Sequence, residues 1–142
     1  MDSSNLKQII LFDSTCRFEN FKEYFETCDK VITFDYLSHK LLSSKNISHE
    51  ISDDLLNESE LSFIQSKSYQ LSEWFSQDNI QEILKYEDVN LGELYYSELH
   101  YFLVPFLKKL MEIEKITHKY SNSTFITFGL LLQIVENFSK KI

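Results

Sequence analysis

Three short runs along the chain share one hydrophobic pattern. "QIILFDS" carries an apolar stretch into Asp13, "KVITFDY" carries another into Asp35, and "STFITFGL" carries a third into Gly129. Each is β-branched and aromatic, has strand length, and leads directly into helical spacing. The pattern places strands at Lys7–Phe12, Val31–Phe34 and Thr124–Phe128. A fourth run, Asn46–Ser52, alternates Ile47, His49 and Ile51 on one face. Strands alternating with helices are joined by right-handed crossovers, which predicts an α/β fold with a mainly parallel, Rossmann-like sheet of about four strands.

Between the strands the period changes. Phe18, Phe21, Phe25 and Cys28 recur at helical spacing after the first strand, and Leu37, Leu41 and Leu42 mark a short helix after the second. From Asn57 to about Tyr120 no run reads as a strand. Leu61, Ile64, Leu71 and Phe75 form one helical stripe, with Glu58 and Glu60 at its positive start. "QDNIQEILKYE" forms a second helix capped by Asp78 or Asn79. A third runs from Asn90 to His118 with Leu94, Phe102, Phe106, Leu110, Ile113 and Thr117 along one face, and Pro105 predicts a kink or break in it. Leu131, Ile134, Val135 and Phe138 mark a last helix. The chain therefore reads as a single domain over residues 1–142, with a large helical insertion, about 57–120, before its last strand.

Composition narrows the function classes. A chain of 142 residues with two glycines and one proline disfavours a turn-rich sandwich. A net charge of −8 argues against nucleic acid as the main partner, because a phosphate backbone calls for clustered Lys and Arg. Lys108–Lys109 and Lys140–Lys141 are too short to alter that. Cys16 and Cys28, on one continuous helix, would stand roughly 18 Å apart along its axis, too far to bridge. Free thiols, an N-terminus "MDSSNLKQ" without a basic or long apolar segment, and no membrane-length run give the expectation of a cytoplasmic protein.

In open parallel sheets ligands bind beyond the carboxyl ends of the strands. That rule gathers Asp13, Ser14, Thr15, Arg17, Asp35, Tyr36, Ser52, Asp53, Asp54 and Gly129 at one rim. Asp13 and Asp35 occupy equivalent places in adjacent units, as a general base with its orienting partner, as holders of a divalent cation, or as helix caps. Cys16 at a helix start is a candidate thiolate or a spacer. No His-x-x-x-His or Cys-x-x-Cys occurs, so no zinc site is expected and no residue is assigned as a metal ligand. No G-x-G-x-x-G opens a helix, and "LFDST" lacks the second aspartate of the haloacid-dehalogenase nucleophile loop, so no cofactor is expected either. Tyr95, Tyr96, His100 and Tyr101 crowd "GELYYSELHYFLVPF" with too many rings for one core stripe, so they either pack against neighbouring helices or reach a groove or partner, with Tyr96 and His100 the candidate ligand contacts.

The order of elements resembles the N-terminal half of GT-B-type glycosyltransferases of surface-polysaccharide and glycan synthesis. The resemblance rests on "IILFDS", "VITFD", "ISHEIS" leading into "DDLLNESEL", and "LHYFLVPFLKKLMEIEKI" before "TFITF". It implies an acceptor-side Rossmann-like domain that lacks the donor-binding half and is inactive alone. Asp13 would be the base, Arg17 a phosphate or carboxylate contact, and Thr15, Asp35 and Gly129 the rim of a glycan or nucleotide-sugar site. A C-terminal partner domain or protein would complete it. The alternative is a non-catalytic module that docks a protein through the aromatic insertion. A polar cleft at the strand ends favours the first reading, and an exposed apolar patch on Leu94–Phe106 favours the second.

Overall fold

The computed structural model describes residues 8–139, so Lys7 and the Lys140–Lys141 pair lie outside the described residues. Strand β1 spans Gln8–Phe12. A 3₁₀ turn at Phe18–Phe21 and a short α1, Lys22–Phe25, lead to β2 at Lys30–Thr33, α2 at Tyr36–Ser44 and β3 at Glu50–Ile51. Then come α3 (Glu58–Ser72), α4 (Asp78–Leu84), a hairpin of β4 (Lys85–Tyr86) and β5 (Val89–Asn90), α5 (Tyr96–Lys119), β6 (Thr124–Ile126) and α6 (Leu130–Ser139). The main sheet has the order β3-β2-β1-β6 with every pairing parallel, the Rossmann-like α/β arrangement that the strand pattern implies.

The chain divides into two compact units. One holds the described residues up to Leu56 together with those from Met111 onward, and the other is Asn57–Leu110.

The sheet unit is built around β1. Ile9, Ile10, Leu11 and Phe12 are all fully buried, as an inner parallel strand covered on both faces requires. Ile10, Phe12, Phe21, Val31 and Leu42 form one cluster, lined by Phe18, Phe25 and Ile126. Phe12 meets Phe21 edge-on with ring centres 5.1 Å apart. Ile113, Ile116, Leu131, Ile134 and Val135 add the buried sides of the end of α5 and of α6. At its amino end the sheet is tied by Lys30, which donates to Glu50 at 2.6 Å and to the Tyr120 hydroxyl at 3.1 Å. Helix α2 closes with Asn46 at φ 56° while Ile47 N–H donates to the Leu42 carbonyl and Asn46 N–H to that of Ser43. That is the left-handed stop that Asn tolerates best after Gly.

The helix foreseen after β1 is instead a 3₁₀ turn and a single α turn, so Cys16 and Cys28 do not share a continuous helix. Both cysteines are free.

The Asn57–Leu110 unit follows different rules. Asn57 and Glu60 form a reciprocal capping box that starts α3. The buried side of α3 is Ile64, Ser68 and Ser72, not the stripe of Leu61, Leu71 and Phe75. Both serine hydroxyls turn back onto the preceding carbonyls, Ser68 onto Ile64 at 2.8 Å and Ser72 onto Ser68 at 2.7 Å, which satisfies them without a partner helix. Helix α4 begins at Asp78 with Gln77 before it and no side-chain cap. The hairpin was not foreseen in the sequence. Its two-residue turn places Glu87 and Asp88 both at positive φ, a primed turn built without the usual Asn-Gly. Gly92 is packed so tightly that a Cβ there would stand 2.2 Å from that of Phe75. Helix α5 is not interrupted at Pro105.

Candidate functional site

At the carboxyl end of β1 the chain makes a tight, self-bonded loop. Asp13 is fully buried, and its Oδ1 accepts the Thr15 hydroxyl at 2.6 Å and the Thr15 amide at 3.0 Å. Cys16 N–H donates to the Asp13 carbonyl at 3.0 Å. Asp13 is therefore the centre of an Asx turn that ends the strand, not the cap of the following helix. Asp35 is the cap foreseen for α2: its Oδ1 accepts Ser38 N–H at 2.8 Å. Its other oxygen reaches across to the first loop and accepts Ser14 N–H at 2.8 Å. Two consecutive amides, Ser14 and Thr15, are thus held by two carboxylates from adjacent strand ends.

Partial desolvation pushes the Asp35 carboxyl up, but the amide and hydroxyl donors of Ser14 and Ser38 outweigh it and hold the group below the ordinary carboxylate range. Asp35 is a firmly ionised structural anchor. Cys16 shows the opposite balance. Burial, with the neighbouring Asp13 carboxylate adding to it, pushes the thiol above its ordinary value. Its sulfur lies 3.8 Å from the Phe128 carbonyl, so the group is a protonated donor rather than a nucleophilic thiolate.

These contacts limit the chemistry. The amides that would cradle a phosphate or a developing oxyanion already serve Asp13 and Asp35. Arg17 is exposed and immediately precedes the 3₁₀ turn, with no side-chain cap bond. Gly129, at φ 68°, turns the chain from β6 into α6, with open space where a Cβ would stand. What remains unused at the strand ends is a pair of hydroxyls. Ser52, after β3, and Thr127, after β6, are buried, and their oxygens find no hydrogen-bond partner among the described residues. Leaving such a group unsatisfied costs about 1–3 kcal/mol, and the two stand after the opposite edge strands of the sheet.

The structure also pairs two histidines whose positions in the sequence gave no hint of it. His39 Nδ1 lies 2.8 Å from His49 Nε2, and His49 Nδ1 lies 2.7 Å from the Ile47 carbonyl. A carbonyl only accepts, so His49 carries a proton on Nδ1, and in the neutral ring its Nε2 accepts from His39 Nδ1–H. Beside His49 opens a cavity of about 410 Å³ lined by Cys28, Asp29, Lys30, Asn46 and Glu50. Most of its polar lining is already engaged, Asp29 with Gln8 N–H and Lys30 with Glu50. Among the described residues no three His, Cys, Asp or Glu side chains converge to hold a metal ion. No helix among them is long and apolar enough to cross a membrane.

Tyr96 and His100 belong to the Asn57–Leu110 unit. There His100 stacks on Tyr69 at 4.2 Å with the rings 13° apart, and Tyr96 lies parallel to it at 6.4 Å. His100 Nε2 is 3.3 Å from the Gln65 amide nitrogen, and its Nδ1 is buried. The His100 ring thus joins α5 to α3. The surface lies one face away. Leu94, Tyr95, Tyr101 and Phe102 are 61%, 65%, 78% and 59% exposed. The cue in the sequence was the excess of rings over what one core stripe can bury.

Compared with protein-family models, with characterised proteins and with solved structures, the chain gives no match.

Proposed function

We propose that the chain is an interaction module in which the Asn57–Leu110 unit docks a partner protein. One observation carries the reading. Of the large hydrophobic side chains buried among the described residues, Ile64 alone comes from this unit, while twelve of its large hydrophobics are exposed. A unit of that size needs more apolar burial than Ile64, two serines and a glycine supply. A partner laid over Leu94–Phe102 would supply it, and contiguous apolar surface of this kind marks interaction sites.

The test is a double substitution, Tyr101→Ser with Phe102→Ser. The variant keeps the melting temperature within about 2 °C, because exposed side chains contribute little to the free chain, and it loses binding of an environment-sensitive apolar dye. A drop of several times that size would mean the two rings are packed in a core, and the docking surface would not exist.

A second reading has its own supporting observation. The unpartnered hydroxyls of Ser52 and Thr127 suit a polar ligand at the strand ends, as in the acceptor-side half of a GT-B-type glycosyltransferase. Glycans and nucleotide sugars that raise the melting temperature of the wild type, and not of Asp13→Ala, would favour it.

A further inference from the structure

From this docking reading, and from the charge around the apolar surface, we infer the chemistry of the partner: a basic amphipathic helix laid along the first two turns of α5. On that helix Glu98, Tyr101, Phe102 and Pro105 stand at i, i+3, i+4 and i+7, and all four are exposed. They form a stripe about 10 Å long, with exposed Leu94 and Tyr95 continuing it toward Asn90. A partner helix offering its own apolar residues at the same spacing matches such a stripe.

Charge selects among occupants. The Asn57–Leu110 unit contains nine acidic residues against four lysines. Lys85 is paired with Asp88 at 3.0 Å, and Lys67 donates to Gln70 at 2.9 Å. Lys108 and Lys109 follow within one turn of Pro105 on the same helix, but both are only partly exposed and already engaged. From Leu91 to Leu107 the charged residues in the sequence are Glu93 and Glu98, both exposed. In a two-fold pairing of identical copies the same patch lies on both sides, so Glu93 and Glu98 would be set against a surface that is itself acidic, in a partly desolvated interface. A helix with Lys and Arg beside its apolar face meets the same carboxylates with opposite charge and keeps its lysine stems on apolar surface.

Two synthetic helical peptides with one apolar face test this, one bearing Lys on its polar face and the other Glu. Titrated by fluorescence anisotropy against the full chain, the Lys peptide binds at least tenfold more tightly. Glu93→Gln with Glu98→Gln brings the ratio below threefold. Tyr101→Ser with Phe102→Ser weakens the Lys peptide tenfold or more. Equal binding of both peptides overturns the basic partner and leaves the docking surface standing. Failure of both peptides, with sedimentation showing a dimer that Tyr101→Ser and Phe102→Ser dissolve, makes a second copy the occupant and overturns the inference alone. Binding of the Lys peptide that ignores the Tyr101 and Phe102 substitutions is general attraction to an acidic protein. That result overturns both the inference and the docking reading.

Discussion

The two units use their hydrophobic residues in opposite ways. In the sheet unit, four consecutive residues of β1 are fully buried, and the polar groups at the strand end are consumed by one another. In the Asn57–Leu110 unit, helix α3 turns serines inward and leaves Leu61, Phe63 and Leu71 exposed. Ten of the chain's aromatic residues lie in that stretch, so the lack of a core there is a matter of arrangement rather than of composition. The teaching is that one unit buries its apolar side chains in a core of its own while the other leaves most of its own exposed on ordered helices.

The largest test of that contrast is a pair of truncations. Leu11→Ala, in the buried middle of β1, costs about 2–5 kcal/mol of unfolding free energy. Phe102→Ala costs under about 1 kcal/mol. Denaturant titration of both variants breaks the comparison if the two losses are equal.

A smaller effect sharpens the other side. Asp35 is held below its ordinary value in the folded chain, so its contribution is present above the unfolded carboxyl value of about 3.9 and is lost as pH falls through the lower folded value. Asp35→Asn, which keeps one cap acceptor and loses the charge, costs about 1 kcal/mol at neutral pH. It also flattens the loss of stability below about pH 4. An unchanged acid limb in the variant would show that the loop is anchored elsewhere.

The smallest effect concerns Cys16. Removing the charge beside it with Asp13→Asn lets the thiol ionise somewhat more easily, while burial, the larger cause, stays. Alkylation followed by peptide mass spectrometry at mildly alkaline pH should quicken at Cys16 by roughly two- to threefold and stay constant at Cys28. Equal rates at Cys16 in both proteins would separate its thiol from the Asp13 carboxylate.

The sheet was legible because its signals are local. β-branched runs that end in Phe-Asp or Phe-Gly read directly as parallel strands leading into helices, whereas their order, β3-β2-β1-β6, came from the structure. Asp35 as a cap was legible for the same reason. Asp13 was not, because an Asx turn and a helix cap use the same residue type and differ only in which amide the side chain meets. The hairpin escaped notice because Glu87-Asp88 carries none of the Gly or Asn that such a turn prefers. The His39–His49 pair joins a helix to the approach of a strand ten residues on, and no periodicity records that. The inward side of α3 was misread because Ser68 and Ser72 hide their polarity on their own backbone.

The place of β1 inside the sheet also governs how the chain comes to be folded. Gln8 pairs with Thr124, so one flank of this strand is completed by residues that leave the ribosome long after it does. Closing that pairing means drawing together ends separated by the whole Asn57–Leu110 segment, an entropic demand that slows folding. Until then Ile9–Phe12 is an apolar edge with unmet backbone groups, open to pairing with another nascent chain. The residues that make the finished sheet most secure are thus the ones most in need of protection during synthesis.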